Sequence, residues 1–310
     1  MNNTIICSLP DLMRYSFLQE FSKNIFFFIC VLDVLVFLAA SIGNTLTLVA
    51  LRRSQSIHPP SKALFCSLAL SDLCVGLVVV PLHFGLMLAT IVEVPSLYCA
   101  LVSPTTVIAF VTASVSLKTT TAIAEDRYLA FCLKLRYKDL VRVKRVVLVL
   151  ALEWLIGILW AGLWVHSRSA SHTVGALANC LCTMTNFVCY LKIFFGLKQR
   201  RTFPIPVQSQ FESNKIMFFN FLIYKKSAKN MFIIYSIMLF CYVPYSLALA
   251  LQFAHGVNSS TFFTLSISYT IILVNSSLNP FVYFWRIMRE IRGQVLEMFK
   301  KLKWHGHINS

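Results

Sequence analysis

Charge is scarce in this sequence. Charged residues make up 13% of its 310 positions, where soluble domains carry roughly 25%. Acidic residues number only 12. So little charge excludes a disordered, self-repelling chain. Gly and Pro number only 10 each, and the 10 Cys are spread thinly. Collagen-like, low-complexity and disulfide-scaffold compositions are therefore excluded as well. What is abundant is apolar: 57% of residues are hydrophobic and the mean hydropathy is +0.71. That balance points to a polytopic membrane protein, and the length suffices for about seven spans of ~20 residues.

The net charge is +16. Nucleic acid is not the expected partner, because the basic residues cluster at the ends of apolar runs rather than on one surface. The clusters include Arg52, Arg53 and Lys62; then Arg136, Arg142 and Arg145; then Lys198, Arg200 and Arg201; and finally Arg286, Arg289 and Arg292. They alternate with loops almost free of Lys and Arg. By the positive-inside rule these clusters face the cytoplasm and contact anionic lipid. The N-terminus is then outside and the C-terminus inside, which requires an odd number of spans. No cleavable signal peptide is expected in residues 1–24. Asn2 and Asn258 begin glycosylation sequons on the expected outer side.

Seven apolar segments lie near 25–51, 62–90, 97–131, 143–166, 173–198, 227–254 and 262–285. Backbone polar groups cannot face lipid unpaired, so each is expected to be a helix. The expected fold is an all-α seven-transmembrane helix bundle. Residues 1–24 form an extracellular N-terminus, 25–285 the membrane domain and 286–310 an amphipathic cytoplasmic helix and tail. The connection 199–226, with Pro204 and Pro206, reads as a long basic loop, and 167–172 as a very short one.

Intramembrane polar groups are costly and mark function by default. Asn44, Asp72 and Ser116 fall within the first three spans, and Asn275 and Asn279 lie four apart on the seventh, so the last two share a face. A carboxylate, a hydroxyl and amides suit a small hard cation, and they equally suit a hydrogen-bond network joining helices. The residues alone leave both readings open. At the inner end of the third segment stands Asp126-Arg127-Tyr128, an ionic pair at the membrane boundary. Pro244 and Pro280 interrupt the sixth and seventh segments, where each removes a backbone hydrogen bond and creates a kink.

Taken in order, these residues resemble the class A (rhodopsin-like) G-protein-coupled receptors over about residues 25–302. The motifs are Gly43-Asn44, Leu68-Ala69-Leu70-Ser71-Asp72, Asp126-Arg127-Tyr128, Trp154, Tyr190, Cys241-Tyr242-Val243-Pro244 and Asn279-Pro280-Phe281-Val282-Tyr283. The resemblance implies a plasma-membrane receptor that binds an extracellular ligand and activates a heterotrimeric G protein. Arg127 would release Asp126 on activation, with Tyr190 and Tyr283 swinging toward it and helix six moving outward at Pro244. It also implies a sodium ion held in the inactive state by Asp72, Ser116, Asn275 and Asn279.

Several positions depart from the family pattern. Tyr242 stands where Trp is usual, and Cys182 where span five usually has Pro. Tyr224 replaces an acidic partner of Arg127, so that ionic lock is expected to be absent and basal activity raised. The family's disulfide would start from Cys99, with Cys180, Cys182 or Cys7 as its partner.

Ala109 occupies the place of the biogenic-amine counter-ion, and 262–285 contains no Lys for a retinal Schiff base. By family position the ligand would meet Ala109, Phe110, Ala113, Tyr242, Tyr245 and Ser246. It would be a lipid, peptide or nucleoside, with Glu93, Asp33 and His83 as further polar anchors. The competing function is a transporter or channel using Asp72 and Asn279, but no internal repeat or pair of broken spans is visible. No nucleophile–base pair or metal-ligand cluster has suggestive spacing, so no catalysis is expected.

Overall fold

The computed structural model describes residues 8–54, 57–133, 136–201 and 211–281, without the side chains of 138, 165, 168, 169, 172, 197–201, 211–231 and 234. Its elements, in chain order, are α1 (Leu9–Gln19), α2 (Lys23–Arg53), α3 (Pro59–Cys74), a π-helical stretch (Val75–Val79), α4 (Val80–Ile91), α5 (Pro95–Leu133), α6 (Tyr137–Leu140), α7 (Val143–His166), α8 (Arg168–Arg201) and α9 (Phe211–His255). The last described helix, α10, is Ser259–Phe281. Seven of these units are long and apolar enough to cross a membrane. Span two combines α3, the π-helical stretch and α4.

Local chemistry sets many of the boundaries. Pro59 and Pro60 open α3, and Pro81 lies in the first turn of α4, where a missing N–H costs nothing. The π-helical stretch directly precedes Pro81, so the wider turn accommodates the ring that would clash with a carbonyl one turn back. Span one ends on Arg52 and Arg53. There the Lys62 ammonium donates to the carbonyls of Arg52 and Ser54 at 3.3 and 3.1 Å, satisfying the end of the helix. Asn258 caps α10 reciprocally. Its Oδ1 accepts the Thr261 N–H at 3.0 Å, and its own N–H meets the Thr261 hydroxyl at 3.1 Å.

The sequence-based spans agree with these helices, with three corrections. First, residues 9–19 of the expected extracellular segment form a helix, α1. Apolar Leu18 and the aromatics Tyr15, Phe17 and Phe21 give it packing partners that its polar average conceals. Second, α7 and α8 are separated only by extended Ser167, so the connection expected at 167–172 is almost nothing. Trp160 explains how so tight a reversal holds: its indole N–H donates to the Ser171 carbonyl at 3.0 Å, and its ring packs where a Cβ on Gly175 would stand at 2.3 Å. Third, within the long loop expected at 199–226, residues 199–201 and 211–226 are helical, and 202–210, with Pro204 and Pro206, lies outside the described residues. The amphipathic helix expected at 286–302 also lies outside the described residues.

Spans one and seven approach closely at Gly43, where an added Cβ would stand 2.7 Å from the Pro280 ring. The buried core forms three clusters, one of them Val36, Val75, Val79, Val80, Ala109 and Leu273. Leu18, Phe26, Ile29, Leu86, Met87 and Tyr98 pack at the α1 end. Leu51, Leu64, Phe65, Leu117, Ile123, Tyr190, Tyr235 and Tyr242 fill the half nearer Arg127.

Candidate functional site

At the Arg127 end, one carboxylate gathers three partners. The Arg127 guanidinium lies 3.1 Å from Asp126. The Ser61 hydroxyl of α3 donates to the same carboxylate at 2.9 Å, and the Tyr137 phenol of α6 donates to its other oxygen. Asp126 is buried, and burial together with the Asp126 carboxylate pushes the Tyr137 phenol up to about 12. The Arg127 guanidinium also lies 5.7 Å over the Phe65 ring, a cation–π contact that holds it against span two. Nearby, Tyr190 and Tyr235 of spans five and six stack with centroids 5.0 Å apart, and Lys192 lies 5.3 Å over the Tyr128 ring. Tyr283 and the side chain of Tyr224 lie outside the described residues.

The middle of the bundle holds the second group. Asn279 Nδ2 donates to Asp72 at 2.7 Å, and the Ser116 hydroxyl approaches the other carboxylate oxygen at 3.4 Å. Asn44 ties span one to span seven by donating to the Ser276 carbonyl at 3.1 Å. Asn275 is buried on the same helix as Asn279. The Asp72 carboxylate and the Ser116 hydroxyl are hard oxygen donors that suit a small cation, whereas the Asn279 amide presents its N–H to Asp72.

The third group is a cavity of about 200 Å³ at the α1 end. Ala109, Phe110, Ala113, Tyr242 and Tyr245 line it, as the sequence implied, whereas Ser246 does not. Ser246 points instead at its neighbour, accepting from Asn179 Nδ2 at 2.6 Å, and Asn179 is the residue that reaches the wall. His83 also lines the cavity, with its Nδ1 at 2.9 Å from the Asp33 carboxylate behind it. The hydroxyl of Tyr269 and the amide oxygen of Asn179 are buried without a hydrogen-bond partner among the described residues, and both residues line the cavity. Glu93 takes a different role, pairing with Lys23 from the turn between α4 and α5.

Cys99 is disulfide-bonded, while Cys180 and Cys182 are free. Pairing with the span-five cysteines is thereby overturned, since both sit within helix α8. Cys7 and Asn2 lie outside the described residues.

Reading the sequence missed Ser61, Tyr137, Asn179 and Tyr269. It also missed a polar seam between spans two, three, four and five. There Ser67 bonds Thr119 at 3.4 Å, Thr119 donates to Glu153 at 3.1 Å, and Asn186 donates to Thr121 at 2.9 Å. The Lys118 amine is buried near Glu153 with no hydrogen-bond partner among the described residues. Lys118 and Glu153 were visible as intramembrane charges, the signal that singled out Asp72.

A membrane-spanning seven-helix receptor is what this bundle and its paired polar clusters define. Residues 43–187 match the family described as 7 transmembrane receptor (rhodopsin family). The chain is 25% identical over 295 residues to adenosine receptor A3 of Canis lupus familiaris, covering 86% of this chain and 89% of that one. It is 24% identical over 270 residues to galanin receptor 2a of Danio rerio, covering 80% and 72%. Over 166 residues it is 31% identical to a QRFP-like peptide receptor of Branchiostoma floridae, covering 53% and 42%. The family match and these relatives support a class A (rhodopsin-like) G-protein-coupled receptor. These matches give no support to the transporter alternative.

Proposed function

We propose that this receptor sits in the plasma membrane with α1 outside. In this reading it takes a small ligand into the cavity beneath α1 and couples to a heterotrimeric G protein at the Arg127 end. The basic clusters at that end support this orientation. The relatives are, by their names, receptors for adenosine, for galanin and for a QRFP-like peptide, so nucleoside and peptide ligands frame the choice. A cavity roofed by Arg14 and Leu18 of α1 favours the smaller class, because a peptide would have to displace the roof.

One observation carries the mechanism: Asp126 is held at once by Arg127, Ser61 and Tyr137. Arg127 is therefore occupied in the resting state and becomes a G-protein contact only when Asp126 lets it go. Ligand binding favours the released state through differential contacts at the cavity, and that population shift is the signal. Pro244, inside α9, lets the end of span six that bears Tyr235 swing from Tyr190. A sodium ion at Asp72, Ser116, Asn275 and Asn279 stabilises the resting state; the hard oxygen donors around Asp72 support this.

The test is signalling in reporter cells offered nucleosides and peptides. Arg127→Ala should abolish any response while surface expression persists. A response undiminished in that variant would reject the coupling mechanism.

A further inference from the structure

We infer that the ligand of this cavity is a compact bicyclic aromatic molecule with a hydrogen-bond donor on one edge and an acceptor on another, read by the Asn179 amide oxygen and the Tyr269 hydroxyl. The inference rests on the cavity being the ligand site and adds the chemistry of the ligand's edges.

At about 200 Å³ the cavity is smaller than the ~300–1,000 Å³ of most ligand sites, which holds the occupant to a compact body. Its wall offers aromatic faces. Phe110 and Trp160 both line it, with ring centroids 5.3 Å apart, and stacking on such rings favours a flat ligand. The polar groups of the wall are mostly committed. The hydroxyls of Thr105, Thr106, Ser114 and Ser266 donate to the carbonyls of Leu101, Val102, Val111 and Phe262, each within its own helix, at 2.7–3.0 Å. The Trp160 indole N–H goes to the Ser171 carbonyl. Ionisable groups of the wall sit beside opposite partners, Arg14 beside Asp11 within α1 and His83 beside Asp33, so the ligand needs no net charge.

Two atoms stand out. The Asn179 amide is oriented by span six. The Ser246 hydroxyl donates to the Tyr242 carbonyl at 3.0 Å, so a lone pair of that hydroxyl receives the Asn179 N–H at 2.6 Å. The amide oxygen is thereby left over, buried without a partner among the described residues. On span seven the Tyr269 hydroxyl is in the same condition, and its ring lies against His83 with centroids 5.3 Å apart. A buried polar atom is costly until it is hydrogen-bonded, and an amide oxygen only accepts. A ligand N–H or O–H therefore suits Asn179, and a ring nitrogen or carbonyl suits the donating hydroxyl of Tyr269. An apolar molecule of the same shape leaves both atoms unmet.

The test uses three bicyclic probes of similar shape: indole (an N–H donor), quinoline (an acceptor) and naphthalene (neither). Apparent affinities come from the rise in melting temperature of the solubilised receptor with probe concentration, each divided by the probe's partition into the same detergent. Indole and quinoline should each bind about tenfold tighter than naphthalene. Asn179→Leu, or Asn179→Ala if leucine prevents folding, should erase the indole advantage and spare that of quinoline. Tyr269→Phe should do the reverse. Filling the cavity with Ala113→Phe should abolish all three shifts. Equal affinities for the three probes, or an advantage that survives its own variant, would overturn the inference and leave the cavity as a site. Shifts absent for every probe, or kept in Ala113→Phe, would overturn both. Because binding is read without signalling, a failure to couple remains distinguishable from either result.

Discussion

Replacing Tyr137 by Phe removes one hydroxyl and leaves the ring that lies 5.3 Å from His58. The lost bond is the one from the Tyr137 phenol to buried Asp126. A hydrogen bond to a charged group contributes about 1.5–3 kcal/mol. If it exists only while Asp126 is clamped, its loss multiplies the released-to-clamped ratio by about 10–150, at 1.4 kcal/mol per tenfold. A receptor resting at roughly 1% active would then rest at about 10–60%. Ser61→Ala should act in the same direction but not additively, because both hydroxyls serve one carboxylate. The phenol, pushed up to about 12 by burial and by Asp126, stays protonated in the folded chain. Its contribution is therefore fully present below the free phenol's value of about 10 and fades only as pH rises from there through the folded value. The assay is unstimulated nucleotide exchange per surface receptor at pH 7.4. Basal exchange in Tyr137→Phe within twofold of the parent would refute the idea that this phenol restrains Arg127 through Asp126.

Asp72→Asn should abolish any sodium dependence of agonist affinity by removing the only carboxylate of the central cluster; a retained dependence would exclude that site. Gly43→Val should lower the melting temperature of the solubilised receptor, since even the first added carbon stands 2.7 Å from the rigid Pro280 ring. Overpacking of that kind costs about 1–3 kcal/mol, and an unchanged melting curve would show that spans one and seven separate freely. In the polar seam, Glu153→Gln alone should leave the Lys118 amine without its nearby counter-charge and destabilise the receptor. Adding Lys118→Met should restore part of that loss, whereas strictly additive losses would mean the two charges do not interact.

The bundle was legible because its signals are those a membrane enforces: apolar length, basic ends and rare interior polar groups. Asp72, Asn279, Asp126 and Arg127 stood out for the same reason, and the helices bring them together. What stayed hidden was whatever depends on partners distant in the chain. Tyr137 reads as an ordinary residue of a basic loop, and only the fold shows that α6 carries its hydroxyl back to Asp126. Ser246 sits on the turn after Tyr242, but it turns to Asn179, which becomes the wall residue in its place. Helix α1 was lost because its average polarity resembles a tail, whereas Tyr15 and Phe17, with Phe21 just beyond its end, meet Tyr98, Phe262 and Phe263. The disulfide search looked to span five by family habit, although Cys180 and Cys182 are fixed within a continuous helix.

The two ends of the molecule are joined by a single rod. Ala109 at the cavity, Ser116 at the central carboxylate and Asp126 at the clamp all lie on α5, spread over about 26 Å at 1.5 Å per residue. A rigid helix has no need of a special relay between these points, because a small rotation or slide imposed at one is felt at the others. Tyr242 closes the circuit from the other side, since it lines the cavity and also packs in the core shared with Leu117 and Tyr190. An occupant that presses on Tyr242 therefore pushes span six just below Pro244, where the backbone lacks a hydrogen bond and bends most easily. In the proposed mechanism, the asymmetry between a span three pinned by buried polar contacts and a span six interrupted by Pro244 is what would turn cavity occupancy into motion at Arg127.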